Sequence, residues 1–90
     1  MSDVSIDHDE AKSRYLLSLD GEVIGEVLYR DTEGRRIFTH SEVLPPHEGQ
    51  GYGTRMVRAA LDDTLAAGLE PIGRCSMVHH FLEEHPDYRR

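Results

Sequence analysis

Three glycines at alternate positions stand between a proline pair and the longest helical pattern in the chain. Pro45-Pro46 must end the strand before it, because proline has no amide hydrogen for a ladder and restricts the preceding residue. Gly49, Gly51 and Gly53 follow, and the helical pattern begins among them. Glycines at a helix start let unpaired amides converge, and the helix dipole adds positive potential there. The sequence therefore predicts an anion site, with a phosphate as its natural ligand.

A tight turn without a ligand is the alternative, and a Gly-x-Gly-x-Gly pattern considered alone favours it. The context excludes two common nucleotide sites. A P-loop requires a Gly-Lys-Ser/Thr ending, whereas Gly53 is followed by Thr54 and Arg55. A Rossmann site requires its glycines at the first strand-to-helix turn of a βαβ unit, whereas these come after several predicted strands.

The composition is that of a globular protein, with 38% hydrophobic and 30% charged residues. A chain of this length holds one core, so residues 1–90 are expected to form a single domain. A net charge of −7 disfavours nucleic acid and membrane partners and suits a basic one. The single cysteine, Cys75, excludes an internal disulfide and a thiol-based metal site. An acidic N-terminal segment without a long apolar run predicts a cytoplasmic protein.

Alternating apolar residues predict strands in the first half of the chain, and amphipathic spacing predicts helices in the second. Residues 4–8 form either a short edge strand or a frayed terminus. The predicted meander has strands at 13–19, 22–29 and 36–44, joined by turns at Asp20-Gly21 and at residues 30–35.

Five apolar residues at helical spacing predict a helix that starts near Gly51 and stops before Gly68: Met56, Val57, Ala60, Leu61 and Leu65. Residues 69–75 should return as a strand beside the third one and complete a β-α-β unit. Ser76 is the predicted N-cap of a C-terminal helix that Pro86 ends. The expected fold class is α+β, with a mixed, largely antiparallel sheet, a main helix after the glycine-rich loop and a C-terminal helix.

Residues 41–54 resemble the cofactor-binding motif of the GCN5-related N-acetyltransferases: a strand, a proline-containing loop and then Gln/Arg-x-x-Gly-x-Gly/Ala. Gly51 and Gly53 match the two small positions, whereas Glu48 stands where the family usually has Gln or Arg. The similarity continues beyond the motif. Residues 59–62, Cys75 and residues 85–88 resemble the small single-domain branch of the superfamily.

This resemblance implies acetyl-coenzyme A as the cofactor, with its pantetheine arm added like a strand between two splayed parallel strands. Backbone contacts to the pantetheine are then expected at Val43 and Leu44. The implied diphosphate contacts are Gly49, Gln50, Gly51, Tyr52, Gly53 and Thr54. The implied activity is transfer of an acetyl group to an amine. The alternatives are a non-catalytic acyl-coenzyme A-binding or sensing module and a plain interaction domain.

Acetyl transfer to an amine requires a base that removes the amine proton, and His40 and Glu42 are the candidates. They alternate on one strand and should share a face, although both could be solvated strand residues instead. Cys75 is a third candidate, because a helix start favours a thiolate that could carry an acetyl thioester or contact the cofactor sulfur. An inert buried thiol is the alternative.

Many larger members of the resembled family use a tyrosine acid on the last helix, but residues 78–83 contain none, and only Tyr88 could substitute. His79 and His80 diverge by about 100° on a helix, so no metal site is predicted there. Larger members also have N-terminal helices that wall the acceptor site, and this sequence has no counterpart. An open, acidic acceptor site is therefore expected, which suits a protein or peptide amine or a polyamine. The oligomeric state stays open.

Overall fold

Five strands form one mixed sheet in sequence order in the computed structural model of the protein, which describes residues 3–88. The strands are β1 (Val4–Asp9), β2 (Arg14–Leu19), β3 (Glu22–Thr32), β4 (Arg35–Val43) and β5 (Glu70–Gly73), and the helices are α1 (Tyr52–Ala66) and α2 (Ser76–Glu84). Strands β1 to β4 pair antiparallel and β5 pairs parallel to β4. The predicted edge strand, meander and β-α-β unit are confirmed. Within the described residues, neither helix is long and apolar enough to cross a membrane.

The turn predicted at residues 30–35 is wrong in length. β3 continues to Thr32 and β4 starts at Arg35, so the turn consists of Glu33 and Gly34 alone. Both residues have positive φ, 50° and 79°, as a two-residue hairpin turn requires. The polar residues at these strand ends resemble a turn in the sequence. In the structure the pair of Asp31 and Arg36 extends the ladder instead.

Both helices pack on one face of the sheet, and their apolar stripes form the core together with β2, β3 and β4. The buried residues of α1 are Met56, Val57, Ala60, Leu61 and Thr64. The predicted inner face is therefore confirmed except at its last position, where Thr64 replaces the half-buried Leu65. The Thr64 hydroxyl donates to the Ala60 carbonyl at 2.8 Å, which allows it to be buried.

The connection from β5 to α2 differs from the sequence prediction. β5 ends at Gly73, and Cys75 rather than Ser76 is the N-cap of α2. The reason lies in β4, because the Phe38 carbonyl accepts the amides of both Arg74 and Cys75, at 2.9 and 3.2 Å. Cys75 is thereby held in an extended conformation, from which the helix begins at the next residue.

A polar network joins five elements, four strands and a helix, at the far end of α1. The guanidinium of Arg36, a residue only 6% exposed, donates to both carboxylate oxygens of Asp31, at 2.8 and 2.9 Å, and to the Tyr15 hydroxyl at 2.6 Å. Tyr15 in turn donates to Asp63 at 2.6 Å, and His8 lies 3.1 Å from the same carboxylate. Burial and the hydrogen bond to Asp63 raise the pKa of Tyr15, so the phenol keeps its donor proton.

Asp31→Asn should make stability less dependent on pH in the acid range. The hydrogen bonds from Arg36 lower the pKa of Asp31 below its ordinary value of 3.8. A carboxyl group with a lowered folded-state pKa contributes stability above its unfolded pKa, and that contribution is lost as the pH falls through the folded value. Urea unfolding followed by circular dichroism should therefore show a smaller loss between pH 5 and pH 2 for the variant than for the wild type. The exposed Asp7→Asn is the control, and an equal pH slope in D31N would contradict the assignment.

Gly73→Ala should destabilise the fold more than Gly53→Ala. A Cβ at Gly73 would lie 2.8 Å from the backbone nitrogen of His79, so α2 would have to move, at about 1–3 kcal/mol. A Cβ at Gly53 would lie 3.2 Å from the flexible sulfur of Met77 and in ordinary contact with the Val43 side chain, at 3.6 Å. A helix-propensity gain of about 1 kcal/mol offsets that contact. Urea unfolding of both variants without ligand measures the difference, and equal losses would contradict the close approach of α2 to β5.

Candidate active site

The glycine-rich loop leads directly into α1, and the first backbone amides of this helix have no partner within it. Gly49 and Gly51 have φ of 77° and 84°, in the left-handed region that a glycine adopts without strain. Gly51 is the N-cap, and the carbonyl of this residue accepts from the Arg55 amide at 3.2 Å. The amides between them, of residues 52–54, precede this bond and have no carbonyl partner within the helix. Their hydrogens and the helix dipole give the loop a positive potential.

The end of β4 and the start of α2 meet α1 at this same point. The ideal Cβ position of Gly53 lies 3.6 Å from the Val43 side chain and 3.2 Å from the Met77 sulfur. Glycine at this position therefore keeps the first turn of α1 close to both elements. Glu48 is exposed just before the loop, so no cationic side chain stands at this position of the motif.

Strands β4 and β5 separate beyond Phe38. Their parallel ladder runs from Arg35–Glu70 to Phe38–Gly73, whereas β4 continues to Val43. After β5, the amides of Arg74 and Cys75 both donate to the Phe38 carbonyl, and the chain then turns into α2. The parallel ladder therefore ends at Phe38, and the second half of β4 has no β5 residue paired with it, as the predicted splay requires.

A bulge in the β3–β4 ladder sets which side chains face the splay. The register shifts between Leu28 and Tyr29, and the extra residue on β4 is Thr39. Ser41 faces the helices, and its hydroxyl donates to the half-buried sulfur of Cys75 at 3.2 Å. Sequence reasoning missed Ser41, although its position between His40 and Glu42 was a signal that it faces the other side of the strand.

His40 and Glu42 share the sheet face that is opposite the helices, as predicted. His40 Nε2 lies 3.8 Å from Glu42 Oε1, and each side chain is about half exposed (52%). Glu26 stands directly across from Glu42 on β3. One ligand atom from each of these three residues lies within 4.8 Å of the others, a geometry that could hold a cation. Sequence reasoning missed Glu26, because its place opposite Glu42 depends on a register that the bulge at Thr39 shifts.

Two surface recesses adjoin the elements of the candidate site. One, of about 140 Å³, lies beside the exposed face and is lined by Val23, Ile24, Gly25, Glu26, Glu42 and Leu44. The other, of about 120 Å³, lies between the helices and is lined by Thr54, Val57, Met77, His80, Phe81, Glu84 and His85. It adjoins the first turn of α1.

The remaining candidates from the sequence have structural partners. His79 lies 3.1 Å from Glu83 and His80 lies 3.1 Å from Glu84, each one helical turn further along α2. The Tyr88 hydroxyl donates to Asp62 at 2.8 Å, and the Tyr88 ring packs on that of Phe81 with centroids 5.4 Å apart. Tyr88 therefore joins the C-terminal segment to α1.

Comparison with known proteins agrees with this geometry. Residues 14–90 match the model of a family described as GCN5-related N-acetyl-transferase. The solution structure of a GCN5-like candidate N-acetyltransferase from Staphylococcus aureus superposes with a TM-score of 0.73 at 23% identity. The alignment covers 98% of this chain and 86% of the other, and at this identity it shows the fold alone. No curated protein matches the chain. Since the family match spans most of the sequence, the chain belongs to the GCN5-related N-acetyltransferase family.

Proposed function

We propose that this protein transfers an acetyl group from acetyl-coenzyme A to an amine. Membership of the family supports acetyltransferase chemistry in general. The observation that carries the proposal is the splay beyond Phe38, which opens directly beside the unpaired amides of α1. An extended arm with a diphosphate at one end fits this combination, because a strand edge binds extended chains and a helix start binds anions.

In this proposal the pantetheine arm pairs with the β4 edge at Val43 and Leu44. Leu44 lies just beyond the end of β4 and is 41% exposed. Its amide donates to the Ile24 carbonyl at 2.8 Å and its carbonyl accepts from the His47 amide at 2.9 Å, so pairing at Leu44 would use the second lone pair of that carbonyl. The diphosphate lies against the loop and the first turn of α1, with contacts from Gly49, Gln50, Gly51, Tyr52, Gly53 and Thr54. The exposed Glu48 offers no cation to the diphosphate, so backbone amides must supply the attraction. Bound acetyl-coenzyme A supplies the acetyl thioester.

The acetyl carbon then lies near the narrow end of the splay, between the two groups of candidate side chains. Cys75 and Ser41 are on the helix side of β4, and His40 and Glu42 are on the exposed side. We assign His40 or Glu42 as the base that takes the amine proton, because both are accessible to an acceptor. Cys75 either receives the acetyl group as a thioester or contacts the cofactor sulfur.

A non-catalytic acyl-coenzyme A-binding or sensing module is the second candidate. It is favoured by α2, whose residues 76–84 contain no tyrosine that could serve as the acid. Such a module would bind the cofactor and transfer nothing. The cytoplasmic location, the single-domain organisation and a protein, peptide or polyamine acceptor stay predictions.

Gly51→Ala should weaken coenzyme A binding, whereas Gly34→Ala should not. Both glycines have φ near 80° and open space around the Cβ position, so both variants carry a similar backbone strain of about 1–3 kcal/mol. Only Gly51 lies in the proposed diphosphate site. Calorimetric titration with coenzyme A should show at least a tenfold weaker Kd for G51A, and removal of the diphosphate from the ligand should remove that difference. Equal affinities of the two variants for coenzyme A would contradict the proposed diphosphate site.

His40→Gln and Glu42→Gln separate the enzyme from the sensor. If one residue is the base, its variant should lose about a hundredfold or more of kcat while its affinity for coenzyme A is unchanged. The exposed His79→Gln on α2 is the matched control. Turnover is measured as release of free thiol from acetyl-coenzyme A in the presence of a lysine peptide. Wild-type protein that binds coenzyme A but turns over no amine would favour the sensor.

Mass spectrometry tests the role of Cys75. If this thiol relays the group, wild-type protein mixed with acetyl-coenzyme A should gain the mass of one acetyl group, and Cys75→Ala should not. An unmodified cysteine at all times during turnover would leave direct transfer as the mechanism.

A further inference from the structure

We propose that the recess beside Glu26 and Glu42, here the acceptor recess, binds the protonated amine of an unbranched alkyl chain such as a lysine side chain. The inference rests on the proposed acetyl transfer and names the acceptor class for it. The acceptor recess is small, about 140 Å³, whereas pockets for whole metabolites usually measure about 300 Å³ or more. Its size suits the end of one chain rather than a complete ligand.

Two carboxylates lie side by side in one wall of the acceptor recess. Glu26 and Glu42 are directly opposed on antiparallel strands, a position where like charges destabilise a sheet. Arg14 Nη1 lies 3.8 Å from Glu26, and His40 Nε2 lies 3.8 Å from Glu42, both beyond hydrogen-bond length. The carboxylates therefore retain acceptor capacity. An alkylammonium group has three donors and a positive charge, and it could bridge both.

The other walls are apolar. Val23 and Leu44 are the large hydrophobic side chains that stand out as exposed in the described part of the chain, at 48% and 41%, and both line the acceptor recess. A ligand that covers them gains about 25 cal/mol for each Å² of apolar surface removed from water. Adjacent apolar and anionic walls match an aliphatic stem that ends in an ammonium group. A divalent metal ion would use the carboxylates and leave the apolar walls exposed.

The acceptor recess is continuous with the proposed base. The ligand atoms of Glu26, His40 and Glu42 lie within 4.8 Å of one another, so an ammonium held by the carboxylates lies beside the imidazole. Transfer of its proton to His40 leaves a neutral amine with a free lone pair at the exposed face of the splay. Glu26 is therefore a binding residue for the acceptor, and the proton acceptor is a different side chain.

Backbone amide NMR shifts test binding without any chemistry. Butylamine is titrated into the wild-type protein in the presence of EDTA, with 1-butanol as the uncharged probe of equal chain length. The amine should shift the amides of Val23, Glu26 and Glu42, and 1-butanol should not. Glu26→Gln should weaken amine binding about tenfold. Glu22→Gln, an exposed carboxylate on the same strand, should not weaken it. Absence of these shifts or an equal Kd in E26Q would overturn the inference. A separate titration with Zn²⁺ in buffer without EDTA that moves these amides when butylamine does not would also overturn it.

Steady-state kinetics connect the acceptor recess to transfer. With a lysine peptide as acceptor, E26Q should raise KM for the peptide about tenfold and leave kcat and the KM for acetyl-coenzyme A unchanged, because a uniform binding contact is removed. Transfer with an unchanged peptide KM and unmoved amides would refute the acceptor recess and leave the proposed function intact. Amine binding in a wild-type protein without turnover would refute the transferase and leave the acceptor recess intact.

Discussion

The carbonyl of Phe38 determines where the parallel ladder ends, and the proposed function depends on that point. It accepts two successive amides, from Arg74 and Cys75, and this double acceptance ends the parallel ladder while β4 continues. Because the chain is turned away at that oxygen, only two residues separate the end of β5 from the start of α2, and the second half of β4 has no β5 segment beside it. A strand pair that stayed closed for two more residues would have no splay and no room for an extended arm.

Two glycines allow the helices to pack closely against their neighbours around the end of the β4–β5 ladder. Gly73 lets the backbone of α2 lie directly over β5, and Gly53 lets the first turn of α1 approach Val43 and Met77. Both helices therefore start at the rim of the same opening. The β4 bulge at Thr39 adds the last element, because it directs Ser41 towards Cys75 and leaves His40 and Glu42 on the exposed side. In the proposed function, the thiol of Cys75 and the access of the acceptor amine therefore lie on different sides of one strand.

Local signals were sufficient to predict most of the fold. Proline and glycine positions gave the loop after β4, and apolar spacing gave both helices and the meander, because each depends on neighbours in sequence. The length of the β3–β4 hairpin and the N-cap at Cys75 were missed, since each depends on a contact across the sheet, with Arg36 in one case and Phe38 in the other. The glycine loop, His40, Glu42 and Cys75 were readable as candidates from motif and alternation. Ser41 was missed although its place between His40 and Glu42 puts it on the other side of the strand, whereas Glu26 could not be inferred, because cross-strand partners depend on a bulge that leaves no mark in composition.

The network around Arg36 gives the molecule two ends of unequal stiffness. Its hydrogen bonds and ion pairs join β1, β2, β3, β4 and the last turn of α1, far from the glycine loop. Its aromatic rings stack closely, with His8 and Tyr15 centroids 4.3 Å apart. At the other end of β4 the strand edge lies beside an opening. Amide hydrogens around Arg36 should therefore exchange with solvent only through large openings of the structure, whereas those at the rim exchange through small local ones. In the proposed function, the rim spreads when the ligand enters, and the network around Arg36 keeps the register of the sheet.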